Sequence, residues 1–210
     1  MVELLVLVNG LPGSGKSTLG RALARTMDAQ LLAKDTVKEI LANCLDNTAE
    51  LPALGGIAMD TIWALAQSLS GTVIVDSWWF RPRDLDFARS GIRRTGASRA
   101  VEIWCEVPAA TARTRYASRR RDPAVYSDAQ RLVKDWDTWA AHAAPLRLTA
   151  TLMVDTSGPV DCTRLAERLR IAAGPPSTGQ VPPTADLRSS GTGDGPGAAA
   201  VRATRDRPVH

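Results

Sequence analysis

Histidine and cysteine are nearly missing from this 210-residue chain, which has only His142, His210, Cys44, Cys105 and Cys162. The cysteines are odd in number, widely spaced and without a Cys-x-x-Cys pair. That pattern argues against a disulfide framework and a zinc site, and it favours a reducing cytoplasm. No apolar run approaches the roughly 20 residues that cross a bilayer, so no membrane association is expected. The opening run from Met1 to Val8 is short and carries Glu3, with no basic leader and no small-residue cleavage site, unlike a secretory signal. Lysine is scarce as well: Lys16, Lys34, Lys38 and Lys134 are the only four among 26 basic side chains. Against 22 acidic residues these leave a net charge of +4. So diffuse an excess argues against nucleic acid as the partner while leaving it open.

What is present is ordinary globular composition, 44% hydrophobic and 23% charged, with six tryptophans within an aromatic share of only 5%. From Gly174 to His210 the character changes, with six glycines, six prolines and no aromatic residue. Such a stretch buries too little apolar surface to offset its ordering entropy, so a folded domain over 1–173 and a disordered tail over 174–210 are expected.

Within the domain, short continuous apolar runs (Leu4 to Val8, Gln30 to Ala33, Thr72 to Val75, Ala100 to Trp104, Thr151 to Val154) read as strands covered on both faces. Between them lie helical patterns: Leu19, Leu23 and Met27; Ile62, Leu65, Ala66 and Leu69; Val133, Trp136 and Ala140; Leu165 and Leu169. This alternation predicts a three-layer α/β fold, a mostly parallel sheet of about five strands with helices on both faces.

Gly10-Leu11-Pro12-Gly13-Ser14-Gly15-Lys16-Ser17 matches G-x-x-x-x-G-K-[ST] in full, directly after the first strand and at the start of the first helix. Glycines let the backbone N–H groups curl inward, and the helix that follows, with Thr18 in its first turn, adds its positive end. In such a loop Lys16 reaches the β- and γ-phosphates and the Ser17 hydroxyl takes Mg2+. No Asn-Lys-x-Asp element reads guanine, so ATP is the expected nucleotide.

Ligands of an open parallel sheet sit at the carboxyl ends of its strands. Asp76 ends the third strand and is placed to hold magnesium. Asp35 follows the second, and two roles fit it: accepting the proton of an attacking hydroxyl, or capping a helix over Thr36 to Leu45. A dense cluster (Arg113, Arg115, Arg119, Arg120, Arg121) follows Val107-Pro108, where a helix begins. Arg115 and Arg119 are four apart and would share a helix face. Their planar forks suit phosphoryl oxygens, although a solvated basic helix also fits.

The phosphate-binding loop, Asp35 with a basic residue three positions on, Asp76, and Val107-Pro108 leading to Arg115 and Arg119 together resemble the P-loop kinases related to polynucleotide kinase. Chloramphenicol phosphotransferases, zeta-toxin-like kinases and AAA-type small-molecule kinases are similar in outline. The resemblance covers residues 2–172. It implies that Asp35 is the general base toward the acceptor, and that Arg119 is the lid arginine on the nucleotide phosphates, with Arg115 a turn earlier. Lys38 stands where the polynucleotide kinases have arginine, which weakens bidentate phosphate recognition.

Trp78 and Trp79 follow Asp76 at the expected mouth of the cleft. They could stack on an acceptor, or one could pack beneath a helix while the other covers a loop. Trp63, Trp104, Trp136 and Trp139 read as core. The expectation is an ATP- and Mg2+-dependent kinase acting on a hydroxyl of a small molecule, an antibiotic, nucleoside or sugar derivative on the resemblance. A 5′-hydroxyl polynucleotide kinase and a nucleotide-dependent switch are the alternatives.

Overall fold

Side chains alternate across a strand, so a fully apolar strand needs cover on both faces. β1 (Val2–Asn9) receives it at the centre of a five-stranded sheet of order β2-β3-β1-β4-β5. The other strands are β2 (Gln30–Ala33), β3 (Gly71–Asp76), β4 (Arg99–Glu106) and β5 (Ala150–Asp155), and every pairing is parallel. The computed structural model describes residues 1–45 and 53–175. Apart from Gly174 and Pro175, the expected tail lies outside the described residues.

On one face Leu4, Val6 and Val8 pack with Leu19 and Leu23 of α1 (Lys16–Met27) and with Leu165 and Leu169 of α8 (Cys162–Ala172). On the other, Leu5 and Leu7 meet Met59, Ile62 and Trp63 of α3 (Leu54–Ser68) and Ala88 of α4 (Arg81–Thr95). A third apolar cluster joins Leu11 of the phosphate-binding loop to Ala112 and Tyr116 of α5 (Ala109–Ala117) and to Trp136 and Trp139 of α7 (Trp136–His142). α2 (Lys34–Ala42) follows β2 without a loop, and α6 (Asp128–Lys134) precedes α7.

Several local expectations are corrected. Asp35 is not a helix cap: α2 begins one residue earlier, and its N-cap, Ala33, makes no side-chain bond. Arg119 does not share a helix face with Arg115, because α5 ends at Ala117 and the Arg119 N–H closes a tighter turn on the Tyr116 carbonyl (3.2 Å). The single helix expected through Val133, Trp136 and Ala140 is two helices meeting at Asp135, and Val133 is 87% exposed. The sequence pattern also missed α4, since its fully buried face is only Ala88, Gly91 and Thr95 and offers no large apolar stripe. Its one clear sign was Pro82 in the first turn.

Two buried features fix the neighbourhood of the loop. Glu102, wholly buried on β4, accepts hydrogen bonds from Asn9 Nδ2 (2.9 Å), the N–H groups of Leu146 (2.9 Å) and Arg147 (3.0 Å), and Thr151 Oγ1 (3.3 Å). It thereby holds the residue that precedes Gly10. Trp63 stacks on Trp79 with centroids 6.2 Å apart and lies so close to Gly91 that a side chain there would run into the indole. Gly91→Ala is therefore expected to cost about 1–3 kcal/mol in urea unfolding. Gly158→Ala, which meets no neighbour within 4 Å, serves as the neutral control.

Candidate active site

Register assembles the site. Asp76 pairs with Val8 on one side and with Ala33 on the other, so the chain leaves β1, β2 and β3 at one level. The phosphate-binding loop, Asp35 and Asp76 converge there. Gly13 takes φ 87° beneath α5, where a Cβ would strike the Ala112 carbonyl, and Gly15 takes φ 91° as the N-cap of α1. The Thr156 hydroxyl braces the loop from behind by donating to the Ser14 carbonyl (2.6 Å).

Lys16 is buried and donates to the carbonyls of Gly10 and Leu11, both at 2.9 Å. Burial pulls its ammonium below the usual lysine range, while Asp76 acts to restore it. Burial pushes the Asp76 carboxyl upward, opposed by Lys16 and by a hydrogen bond with Ser17. A buried carboxylate beside a hydroxyl is a hard oxygen pair that fits a cation completed by phosphate oxygens and water, the manner in which Mg2+ is held. Among the described residues no group of three His, Cys, Asp or Glu forms a self-sufficient metal cage.

The segment after α5 is strapped onto α2. Arg121 Nη1 pairs with Asp35 Oδ2 (2.8 Å), and Arg121 Nε pairs with Asp128 Oδ2 (2.9 Å). Its guanidinium also lies 4.2 Å from the Tyr126 ring centroid. Tyr126 donates to Glu39 (3.0 Å), Tyr116 donates to Asp128 (2.7 Å), and Lys38 Nζ donates to the Val125 carbonyl (2.6 Å). Lys38 is thus engaged with this lid segment. Beneath the lid is a cavity of about 470 Å3 whose wall includes Lys16, Ser17, Asp35, Asp76, Trp78 and Arg119.

A family model described as an AAA domain matches residues 5–146. The chain belongs to the AAA domain family. None of the curated proteins matches it. Solved structures share the fold. One is a Chloroflexus aurantiacus protein assigned only provisionally as a kinase (23% identity, 82% of this chain and 99% of that one, TM-score 0.63). A second is the Deinococcus radiodurans tunicamycin resistance protein (16% identity, 82% and 96%, TM-score 0.52). A third is Chaetomium thermophilum Kti12 with ADP-AlF3 (15% identity, 81% and 100%, TM-score 0.52). The matched AAA segment runs from β1 to Leu146, so β5, which completes the sheet, and α8, which packs on one face of it, lie beyond the match.

The expected site residues fall into three groups in this AAA domain. Lys16, Ser17, Asp35, Lys38, Asp76, Trp78, Trp79 and Arg119 all border the cavity. Trp79 does so as a core residue, 1% exposed, while Trp78 is half-buried against Phe80, Trp104 and Trp139. Arg115 turns elsewhere and donates to the carbonyls of Thr156 (3.2 Å) and Ser157 (3.0 Å), so it braces the β5–α8 loop. Arg113 and Arg120 are exposed.

Sequence reasoning passed over Arg121 as one more member of a basic run, and it missed Lys34, Arg83, Tyr126 and Asp128 altogether. Tyr126, a lone aromatic in a polar stretch, was the one available signal for the lid. Arg121→Gln removes both ion pairs of the strap and is expected to speed amide exchange across residues 119–131 about tenfold. Because the pairs are partly exposed, the melting temperature should move by no more than a few degrees.

Proposed function

We propose that this protein is an ATP- and magnesium-dependent kinase that transfers the γ-phosphate to a hydroxyl of a small molecule. The observation that carries this reading is the sharing of one cavity by the phosphate-binding residues Lys16 and Ser17 and by Asp35, a carboxylate outside the loop. The place of that carboxylate on the acceptor side of the cavity favours transfer to a hydroxyl over a nucleotide-dependent switch. Gly10 to Thr18 would cradle the triphosphate, with Lys16 and Arg119 on its anionic oxygens. Ser17 and Asp76 would hold Mg2+, which neutralises phosphate charge when bound.

The chemistry assigned to the chain's own groups is limited. Arg121 occupies only Oδ2 of Asp35, leaving Oδ1 for the acceptor hydroxyl. As the acceptor oxygen bonds to the γ-phosphorus, the bond from that phosphorus to the β–γ bridging oxygen breaks and ADP leaves. The hydroxyl proton passes to Asp35 Oδ1. Bond formation lags in a loose transition state, so Asp35 acts chiefly by orienting the hydroxyl and taking its proton late. Arg119 is drawn below the usual arginine range first by burial and then by neighbouring Arg121, a cationic corner that suits triphosphate charge.

The acceptor class of antibiotic, nucleoside or sugar derivative follows from the resemblance to the polynucleotide kinase-related group. A polynucleotide end is disfavoured because Lys38 is committed to the Val125 carbonyl and to the Tyr126 ring, 4.4 Å away. We place the enzyme in the cytoplasm, where ATP and Mg2+ are supplied. No helix among the described residues is long and apolar enough to cross a membrane.

A radiolabelled-ATP transfer screen over nucleosides, sugars, antibiotics and oligonucleotides tests the proposal. Lys16→Ala is expected to abolish transfer, and full activity in that variant would end the kinase reading. Asp35→Asn should bind Mg2+–ATP normally while transfer falls at least about a hundredfold. Loss of Mg2+–ATP binding in Asp35→Asn would instead assign that carboxylate to the metal.

A further inference from the structure

The first turns of α2, α3 and α4 meet in the wall of the cavity, contributing Lys34, the pair Gly55 and Gly56, and Arg83 with Asp84. Lys34 extends along the start of α3, with Cε and Nζ 3.8 Å from where a Cβ on Gly55 would stand. Its ammonium makes no hydrogen bond or ion pair with any described residue. Burial lowers it below the usual lysine range, Asp84 and Asp35 support its charge, and Arg83 and Lys38 oppose it.

Asp84 is already engaged. Arg83 donates to it through Nε (2.7 Å) and Nη2 (2.8 Å), and the Phe80 N–H donates as well (2.8 Å). Arg83 Nη1 stays outside that pair. Asp84 is thus paired with Arg83 and Asp35 with Arg121, while Lys34 makes no direct pair among the described residues and keeps its donors for an anionic oxygen. α3 adds to the same preference. Its first turn leaves the Leu54 and Gly55 N–H groups without intrahelical acceptors. No side chain shields them at Gly55 or Gly56, and a Cβ on Gly56 would meet nothing within 4 Å. Met59, Trp78 and Phe87 supply apolar wall for a carbon skeleton alongside.

We infer that the acceptor is itself an anion, a hydroxyl compound bearing a carboxylate or a phosphate that is seated between Lys34, Arg83 and the first turn of α3. The inference rests on the kinase reading and narrows its substrate class. Lys34 and Asp35 both line the cavity, so an anion held at Lys34 leaves the rest of the molecule in the space that the proposed base borders. The anionic group takes no part in the bond made, so it should govern KM more than kcat.

The test separates the pocket from the reaction. Protein is first loaded with Mg2+ and the non-hydrolysable β,γ-imido analogue of ATP, which fills the phosphate-binding loop. Inorganic phosphate is then titrated while indole fluorescence and melting temperature are followed. Saturable binding is expected. It should weaken at least about tenfold in Lys34→Gln and in Arg83→Gln, and be retained in Lys34→Arg. Absence of saturable binding to the loaded protein, or unchanged binding in Lys34→Gln, overturns the inference.

A second arm compares transfer from ATP to gluconate against glucose, and to glycerol 3-phosphate against glycerol, which also distinguishes carboxylate from phosphate. The anionic member of a pair should be favoured at least about a hundredfold in kcat/KM, and Lys34→Gln should raise its KM with kcat little changed. Preference for the neutral members overturns the inference and leaves the kinase reading intact. Phosphate binding that depends on Lys34, with no transfer to any compound of the broader screen, counts against the kinase reading and upholds the anion pocket.

Discussion

Parallel pairing of β3 between β1 and β2 is the constraint on which the site depends. Because Asp76 stands level with Val8 and with Ala33, three segments leave the sheet at one height. The phosphate-binding loop, the carboxylate of Asp76 and the first turn of α2 are then neighbours without any long-range search. A shift of one residue in β3 would turn Asp76 to the opposite face of the sheet and bring Val75 or Ser77 to the position it holds. Leu5 and Leu7 on one face of β1 and Leu4, Val6 and Val8 on the other each fill their own packed cluster, and that fit holds the register of the central strand.

Burial carries charge into the site and makes it useful. Lys16 and Asp76 are both removed from water, and each is pushed toward its neutral form while its partner resists. Left alone, such groups are costly. Carbonyls of the loop hold the lysine and Ser17 holds the carboxylate, so the charges keep fixed positions instead of being solvated. Cys105 shows the same low-polarity surroundings without a role in binding: burial pushes its thiol up to about 12, so it stays protonated and unreactive. The lid repeats the logic nearer the surface, where Arg121 spans two carboxylates and a tyrosine ring.

Much of this was legible in one dimension. The loop from Gly10 to Ser17 declares itself because close backbone approach to phosphate demands glycine at fixed spacing. The strands declare themselves because a short run of continuous apolarity is stable only where both faces are covered. Elements whose burial depends on small residues did not show, and α4 is the example, packed through Gly91 against Trp63. Boundaries set by local hydrogen bonding were also hidden, as at Asp135 and after Ala117.

The sequence by itself determined the sheet, the phosphate-binding loop, and Asp35 and Asp76 as the carboxylates at the strand ends, since each follows from periodicity and motif within a few residues. Only the tertiary structure decided how the arginines divide. Arg115 braces a backbone loop, Arg119 borders the cavity, and Arg121 locks Asp35 from 86 positions away. Neighbours in a basic run look alike in sequence because charge is the same at every position. What separates them is where the helix ends, and that is fixed by packing between distant parts of the chain.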